Sequence, residues 1–231
     1  MVFGGIQKFT LLDYPDKTAC TLFTMGCDFR CPFCQNTSLL YPADNSGQAI
    51  STAEVIGFLK TRKDLLDGVC ISGGEPLLHE DLDIFISEIK SLGFLVKLDT
   101  NGSHPGKLEK LISSEKIDYI AMDIKNTPEK YAYTIGVPGF DISPVEESIT
   151  LLLSGTTPYE FRTTIVREFH TVDDLLIIAS RISQAKKYIL QKFVDSDGVQ
   201  QKGLQACSDE EMKEFLKRIA EILPSVELRG M

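Results

Sequence analysis

Compact apolar runs alternate with stretches in which apolar residues recur every three or four positions, from residue 19 nearly to the end of the chain. Runs of strand length fall at residues 19–24, 68–72, 94–99, 118–123, 159–166 and 187–194, with a last short one at 226–228. Helical spacing occupies residues 51–66, 82–92, 107–113, 143–154, 172–183 and 208–223. Three of these helices open on a serine followed three positions later by a glutamate: Ser51 and Glu54, Ser143 and Glu146, Ser208 and Glu211. Such a pair satisfies the first free amides of a helix reciprocally. The alternation predicts an α/β fold of about six strand-helix units on a parallel sheet, because each helix returns the chain to begin the next strand. A partial barrel and a doubly wound open sheet both fit. No linker or shift in composition divides the chain, so a single domain is expected over residues 1–231. Within it, 1–18 would be an N-terminal extension packing on the barrel, 19–194 the core, and 195–231 a C-terminal helix and tail.

In parallel α/β folds, ligands gather where the strands end. The first strand here runs into TMGCDFRCPFCQN, which carries Cys27, Cys31 and Cys34. The second runs into SGGEP, the third into DTNG and the fourth into MDIK. Four successive strands delivering unusual chemistry at one edge locate a site more firmly than any single motif.

Thiolates select iron–sulfur clusters, zinc or copper(I). Three cysteines spaced Cys-x-x-x-Cys-x-x-Cys leave a structural zinc one ligand short, unless Cys20 or a histidine supplies it. An iron–sulfur cluster normally takes four thiolates, so three suggest a cluster with one iron open to a further ligand, and this reading is preferred. Gly73 and Gly74 would let backbone groups approach a ligand closely. Asp99 can accept hydrogen bonds from hydroxyls, or simply support a turn. Asp123 and Lys125 are two apart on a strand and so share a face, where they would address a ligand or form an ion pair. Cys20 and Cys70 lie inside apolar runs and read as small buried hydrophobes; Cys207 receives no role.

Composition narrows the setting. The 231 residues, 43% hydrophobic and 25% charged, are ordinary for a soluble globular protein. A net charge of −9 argues against a nucleic-acid or anionic-membrane partner, which would call for a basic face. No apolar run approaches the roughly 20 residues of a membrane-spanning helix, and the N-terminus lacks the pattern of a signal peptide. The expected location is cytoplasmic, and six cysteines in a chain of this size do not form a secreted disulfide scaffold.

The order Cys-x-x-x-Cys-x-aromatic-Cys, GGEP, DTNG, DIK resembles that of the radical S-adenosylmethionine (SAM) enzymes. The likeness is greatest to their glycyl-radical-enzyme activating branch and, within it, to the activating proteins of anaerobic ribonucleoside-triphosphate reductase. It is carried by "LLDYP", "FTMGCDFRCPFCQN", "FLKTRKDLLDGVCISGGEPLL", "GFLVKLDTNGS", "DYIAMDIKNTPEKY", "YEFRTTIV" and "YILQKF", and so spans nearly the whole chain. The resemblance implies a partial (βα)6, TIM-like barrel. It implies a [4Fe–4S] cluster held by Cys27, Cys31 and Cys34, with SAM chelating the remaining iron. It places Phe33 beside the adenine, Gln35 among the cofactor contacts, and Gly73, Gly74 and Glu75 at the methionine amino group. Asp99 would hold the ribose hydroxyls, while Asp123 and Lys125 address the methionine end. The implied reaction takes one electron from a flavodoxin or ferredoxin, cleaves SAM to methionine and a 5′-deoxyadenosyl radical, and removes a hydrogen from a glycine of a partner enzyme. Class III ribonucleotide reductase is the expected partner.

Two rivals are a radical SAM enzyme acting on a small molecule, similar to 7-carboxy-7-deazaguanine synthase, and a zinc-stabilised binding domain without catalysis. The chain also departs from its relatives. Where pyruvate formate-lyase activating enzyme has a histidine near the last barrel strand, Gln191, Lys192 and Phe193 stand here. Asp13, Tyr14, Pro15 and Asp16 replace an Asp-Gly-Pro-Gly segment, and Arg162 either faces the site or pairs with a carboxylate at the core edge.

Overall fold

The computed structural model describes residues 1–41 and 49–231. The chain forms two compact units: Met1–Asp28, Ser38–Thr100 and His104–Ile120 make the first, and Phe29–Thr37, Asn101–Ser103 and Ala121–Met231 the second.

The first unit holds strands β1 (Val2–Thr10), β2 (Ala19–Thr24), β3 (Ile50–Ser51), β4 (Gly68–Gly73) and β5 (Leu95–Thr100), with helices α1 (Thr52–Lys60), α2 (Leu82–Ser91) and α3 (Pro105–Ser113). Their order is β3-β1-β2-β4-β5. β2, β4 and β5 run parallel, and β1 is antiparallel to both of its neighbours. Strands covered on both faces read as continuous apolar runs, and these do: Ala19, Cys20, Leu22, Val69, Cys70, Ile71, Val96 and Leu98 are fully buried. Val55 and Leu59 of α1 and Phe85, Ile86 and Ile89 of α2 complete this core. Thr21, Cys70 and Lys97 stand in register across the three parallel strands, a buried row of polar and soft side chains.

Strand β6 (Tyr119–Asp123) begins in the first unit and ends in the second. The second unit continues with β7 (Tyr159–Ile165), β8 (Tyr188–Lys192) and β9 (Val226–Arg229), and with α4 (Pro128–Thr134), α5 (Ser143–Ser154), α6 (Val172–Arg181) and α7 (Asp209–Ala220). β7, β8 and β9 are parallel. Glu160 on β7 is fully buried and accepts a two-pronged bond from Arg229 of β9, at 2.9 and 3.0 Å. A buried carboxylate needs such a fork to offset its desolvation.

The expected α/β fold with a mostly parallel sheet forms, and the structure adds elements the pattern did not predict. Residues 1–18 contribute β1, an integral strand. The capping boxes at Ser51 and Glu54 and at Ser208 and Glu211 are made, and a further one joins Thr171 to Asp174. The box predicted at Ser143 and Glu146 is not. Ser143 is already the first residue of α5, and Asp141 accepts both its amide (3.0 Å) and its hydroxyl (2.7 Å). The first helix is shorter than predicted, ending at Lys60, where the Thr61 hydroxyl bonds back to the Phe58 carbonyl at 2.7 Å. No helix among the described residues is long and apolar enough to cross a membrane.

Candidate active site

In the first unit, the ends of β2, β4 and β5 bring together Cys27, the Gly73-Gly74-Glu75 turn and Asp99. The loop after β4 is zipped to the loop after β2: Gly74 N–H donates to the Thr24 carbonyl (2.9 Å) and Glu75 N–H to the Gly26 carbonyl (2.8 Å). Only glycine permits this approach. A Cβ on Gly73, whose φ is +121°, would lie 2.2 Å from the Thr24 nitrogen, and one on Gly74 would lie 1.8 Å from the Gly26 oxygen. The two glycines are therefore required first of all by the docking of one loop backbone on another.

Glu75 is fully buried, and its Oε1 accepts from the Leu77 amide (3.0 Å) and from the Thr100 hydroxyl (2.8 Å). These donors meet the cost of burying a carboxylate and tie the end of β4 to the end of β5. Asp99 is ion-paired with Lys97, two residues earlier on the same face of β5, and the lysine is itself buried, with Nζ 3.8 Å from Cys70 Sγ. Beside Cys27, Asp28 Oδ2 stands 3.4 Å from Nε2 of His104, the residue that leads into α3. The Asp28 carboxylate beside it raises the imidazole pKa above its ordinary value. Nothing in the local spacing joins Asp28 to His104, which the sequence offers only as one of three histidines that could complete a zinc site.

In the second unit, Cys31, Phe33, Cys34 and Gln35 share one irregular loop. The Cys34 amide closes a turn on the Cys31 carbonyl at 3.0 Å. Phe33 is buried against Phe169 (ring centroids 5.6 Å apart) and edge-on to His170 (6.3 Å). Gln35 directs its carboxamide Nε2 to the Val194 carbonyl at 2.7 Å. At the end of β6, Asp123 lies between two cations: Oδ2 is 2.8 Å from Lys125 Nζ and Oδ1 is 2.8 Å from Arg162 Nε. Burial alone would raise the Asp123 pKa, but Arg162 and Lys125 outweigh it and hold the carboxyl well below the usual range. Burial likewise works against charge on Lys125, and Asp123 overcomes it, so the ammonium persists to higher pH than usual. Arg162 thus pairs with a carboxylate that is itself a candidate site residue. The group carries two cations and one anion, a net charge of +1.

His170, which the sequence offers only as one of three possible zinc-completing histidines, links these pieces. Its Nε2 lies 2.8 Å from the Lys125 carbonyl, and Nδ1 accepts from the Val166 amide at 3.2 Å. The Lys125 carbonyl calls for a proton on Nε2, and burial lowers the ring's pKa.

Whether these residues suit an iron–sulfur cluster is a matter of donor chemistry. None of the six cysteines is in a disulfide. Burial pushes the Cys31 thiol up to about 12, opposed by the nearby Lys125. A soft cation displaces such a proton on binding, and Lys125 favours the thiolate that results. Cys20, the alternative fourth zinc ligand, is fully buried in β2 with its thiol pushed up to about 12 by burial. Among the described residues, no three His, Cys, Asp or Glu side chains stand together as a ready-made cage. Three soft thiol donors within eight residues fit an iron–sulfur cluster by their chemistry.

Known proteins resemble the chain along its length. It is 31% identical over 98% of its residues to a Methanocaldococcus jannaschii protein, MJ1227, provisionally named a glycyl-radical enzyme activating enzyme, and covers 95% of that protein. It is 31% identical to the 7-carboxy-7-deazaguanine synthase of Thermoplasma acidophilum, over 44% of each chain. Its fold is similar to that of Streptococcus suis SuiB bound to the precursor peptide SuiA, with a TM-score of 0.72 and 14% identity, over 91% of this chain and 48% of SuiB. The radical SAM family model matches residues 21–175, more than half of the sequence and all four motifs: the chain belongs to the radical SAM superfamily.

Proposed function

We propose that this radical SAM enzyme activates a glycyl radical enzyme, with class III ribonucleotide reductase as its protein substrate and a flavodoxin or ferredoxin as its electron source. The observation that carries the reading is the end-to-end likeness to the M. jannaschii protein, over 98% of this chain. The likeness to the 7-carboxy-7-deazaguanine synthase of T. acidophilum covers 44%, and that to a Pyrobaculum aerophilum protein named as a GTP 3′,8-cyclase covers 71%.

In this reading Cys27, Cys31 and Cys34 hold a [4Fe–4S] cluster. When bound, the cluster and SAM supply one-electron reductive cleavage and a hydrogen-abstracting radical; the protein supplies position and dryness. Asp99, oriented by Lys97, takes the ribose hydroxyls. The net positive group of Lys125, Arg162 and Asp123 meets the methionine carboxylate, with Lys125 as a point charge. Phe33, fixed by Phe169 and His170, offers the adenine an apolar wall. Glu75 acts on the methionine amino end by setting the turn that carries Gly73 and Gly74. Gln35 serves the site by holding its loop.

The test is anaerobic reconstitution with iron and sulfide, reduction in the presence of SAM, and quantification of 5′-deoxyadenosine. The nucleoside should form, and Cys31→Ala should abolish it together with iron binding. A chain that holds the cluster yet forms none would contradict the catalytic reading.

A further inference from the structure

The loop from Cys31 to Thr37 has almost no regular structure, so its backbone groups must find partners outside a helix or sheet. They find them in segment 194–201, which follows β8. The Gln201 amide donates to the Pro32 carbonyl at 2.8 Å, and the Gln200 amide to the Cys34 carbonyl at 3.0 Å. In the other direction, Gln35 Nε2 donates to the Val194 carbonyl at 2.7 Å and the Thr37 hydroxyl to the Gly198 carbonyl at 2.9 Å. The exchange is reciprocal, two bonds each way, between Pro32 and Thr37 of the loop. Contact is close enough that a Cβ on Gly198 would fall 2.5 Å from the Gln35 oxygen. The segment is itself braced, by a turn from the Val199 amide to the Ser196 carbonyl (3.1 Å) and by Lys202 Nζ reaching the Asp197 carbonyl at 2.9 Å.

We propose that segment 194–201 is a strap that fixes the backbone bearing Cys31 and Cys34, with Gly198, Thr37 and Gln35 as positioning residues for cluster retention. The proposal rests on the reading of these cysteines as cluster ligands. Two of the strap's bonds end on the carbonyls of Cys34 itself and of Pro32, which follows Cys31, so they act on the backbone from which both thiols project. Partners one step removed from a metal commonly change its affinity by roughly 10–100-fold when lost.

The test uses the full-length chain, reconstituted anaerobically, and three variants. Gly198→Ala adds the clashing methyl, Thr37→Val removes a donor while keeping the shape, and Thr37→Ser keeps the donor. Two quantities are read: the rate of iron release to a chelator, and amide hydrogen exchange across residues 31–37 in the metal-free protein. The strap predicts that Gly198→Ala and Thr37→Val release iron roughly tenfold faster than the unaltered chain, with faster exchange in the loop. Thr37→Ser should match the unaltered chain in both, which a requirement for threonine as packing alone would not give. Iron release at the original rate from both Gly198→Ala and Thr37→Val would overturn the proposal, as would unchanged exchange. If Gly198→Ala fails to fold, the two Thr37 variants decide. An unaltered chain that takes up no iron would instead overturn the cluster reading, and the strap's role with it.

Discussion

The Arg162 side chain donates its Nε–H to Asp123 at 2.8 Å, on the carboxylate oxygen not used by Lys125. One carboxylate thus organises two cations at the end of β6, and its acid behaviour follows. Asp123 binds fewer protons folded than unfolded, so the stability it contributes is complete above about pH 4 and is lost as the pH falls below that. Arg162→Met should cost about 1.5–3 kcal/mol at pH 7, measured by urea unfolding. The difference from the unaltered chain should shrink in acid. An unchanged urea midpoint at pH 7 would mean that the pairing contributes nothing.

Two glycines should respond in opposite directions. Gly74→Ala puts a methyl 1.8 Å from the Gly26 carbonyl, so one loop must move; a loss of about 1–3 kcal/mol is expected. Gly57, inside α1, has nothing within 4 Å of its would-be Cβ, and Gly57→Ala should add about 0.5–1 kcal/mol. Thermal unfolding of the two variants separates a glycine needed for close approach from one that merely weakens a helix. Equal effects would contradict the docking of the two loops.

His170 predicts a pH dependence of its own. Its folded pKa is lowered by burial, so at mildly acid pH the unfolded chain binds the proton first. Stability from the neutral ring is complete above about pH 6.5, the unfolded value, and declines as the pH falls from there toward the folded pKa. His170→Gln should lose about 1–2 kcal/mol at pH 7.5, through the Lys125 carbonyl and Val166 amide it leaves poorly paired. It should also show a smaller drop in stability between pH 7.5 and 5.5 than the unaltered chain. His79, which burial also lowers, keeps its own contribution in both proteins. A drop of the same size in the variant would remove His170 from this account.

The main strands and helices were legible because their burial is the property that periodicity reports. Residues 19–24 are apolar and become β2 at those same limits. β1 was missed because Val2–Thr10 mixes glycines with exposed polar residues and buries only Phe3 and Thr10. α4 is seven residues long, too short to establish a period. At the site, the motifs were legible as chemistry, since side-chain type is local information. Their commitments were not. Gln35 bonds a carbonyl 159 positions away, and Asp123 meets an arginine 39 positions away. The sequence offers Gly73 and Gly74 to a ligand's approach, whereas the nearest obligation of each is the backbone of Thr24 to Gly26. Sequence spacing names the groups a site has available, and tertiary packing decides which of them it has already used.

Transfer of a radical to a protein glycine can be read as a glycyl radical by electron paramagnetic resonance. The reconstituted, reduced chain is mixed anaerobically with class III ribonucleotide reductase and SAM. A glycyl radical signal is expected on the reductase, absent without SAM and absent with the Cys31→Ala variant. Formation of 5′-deoxyadenosine with no glycyl radical on the reductase would contradict it.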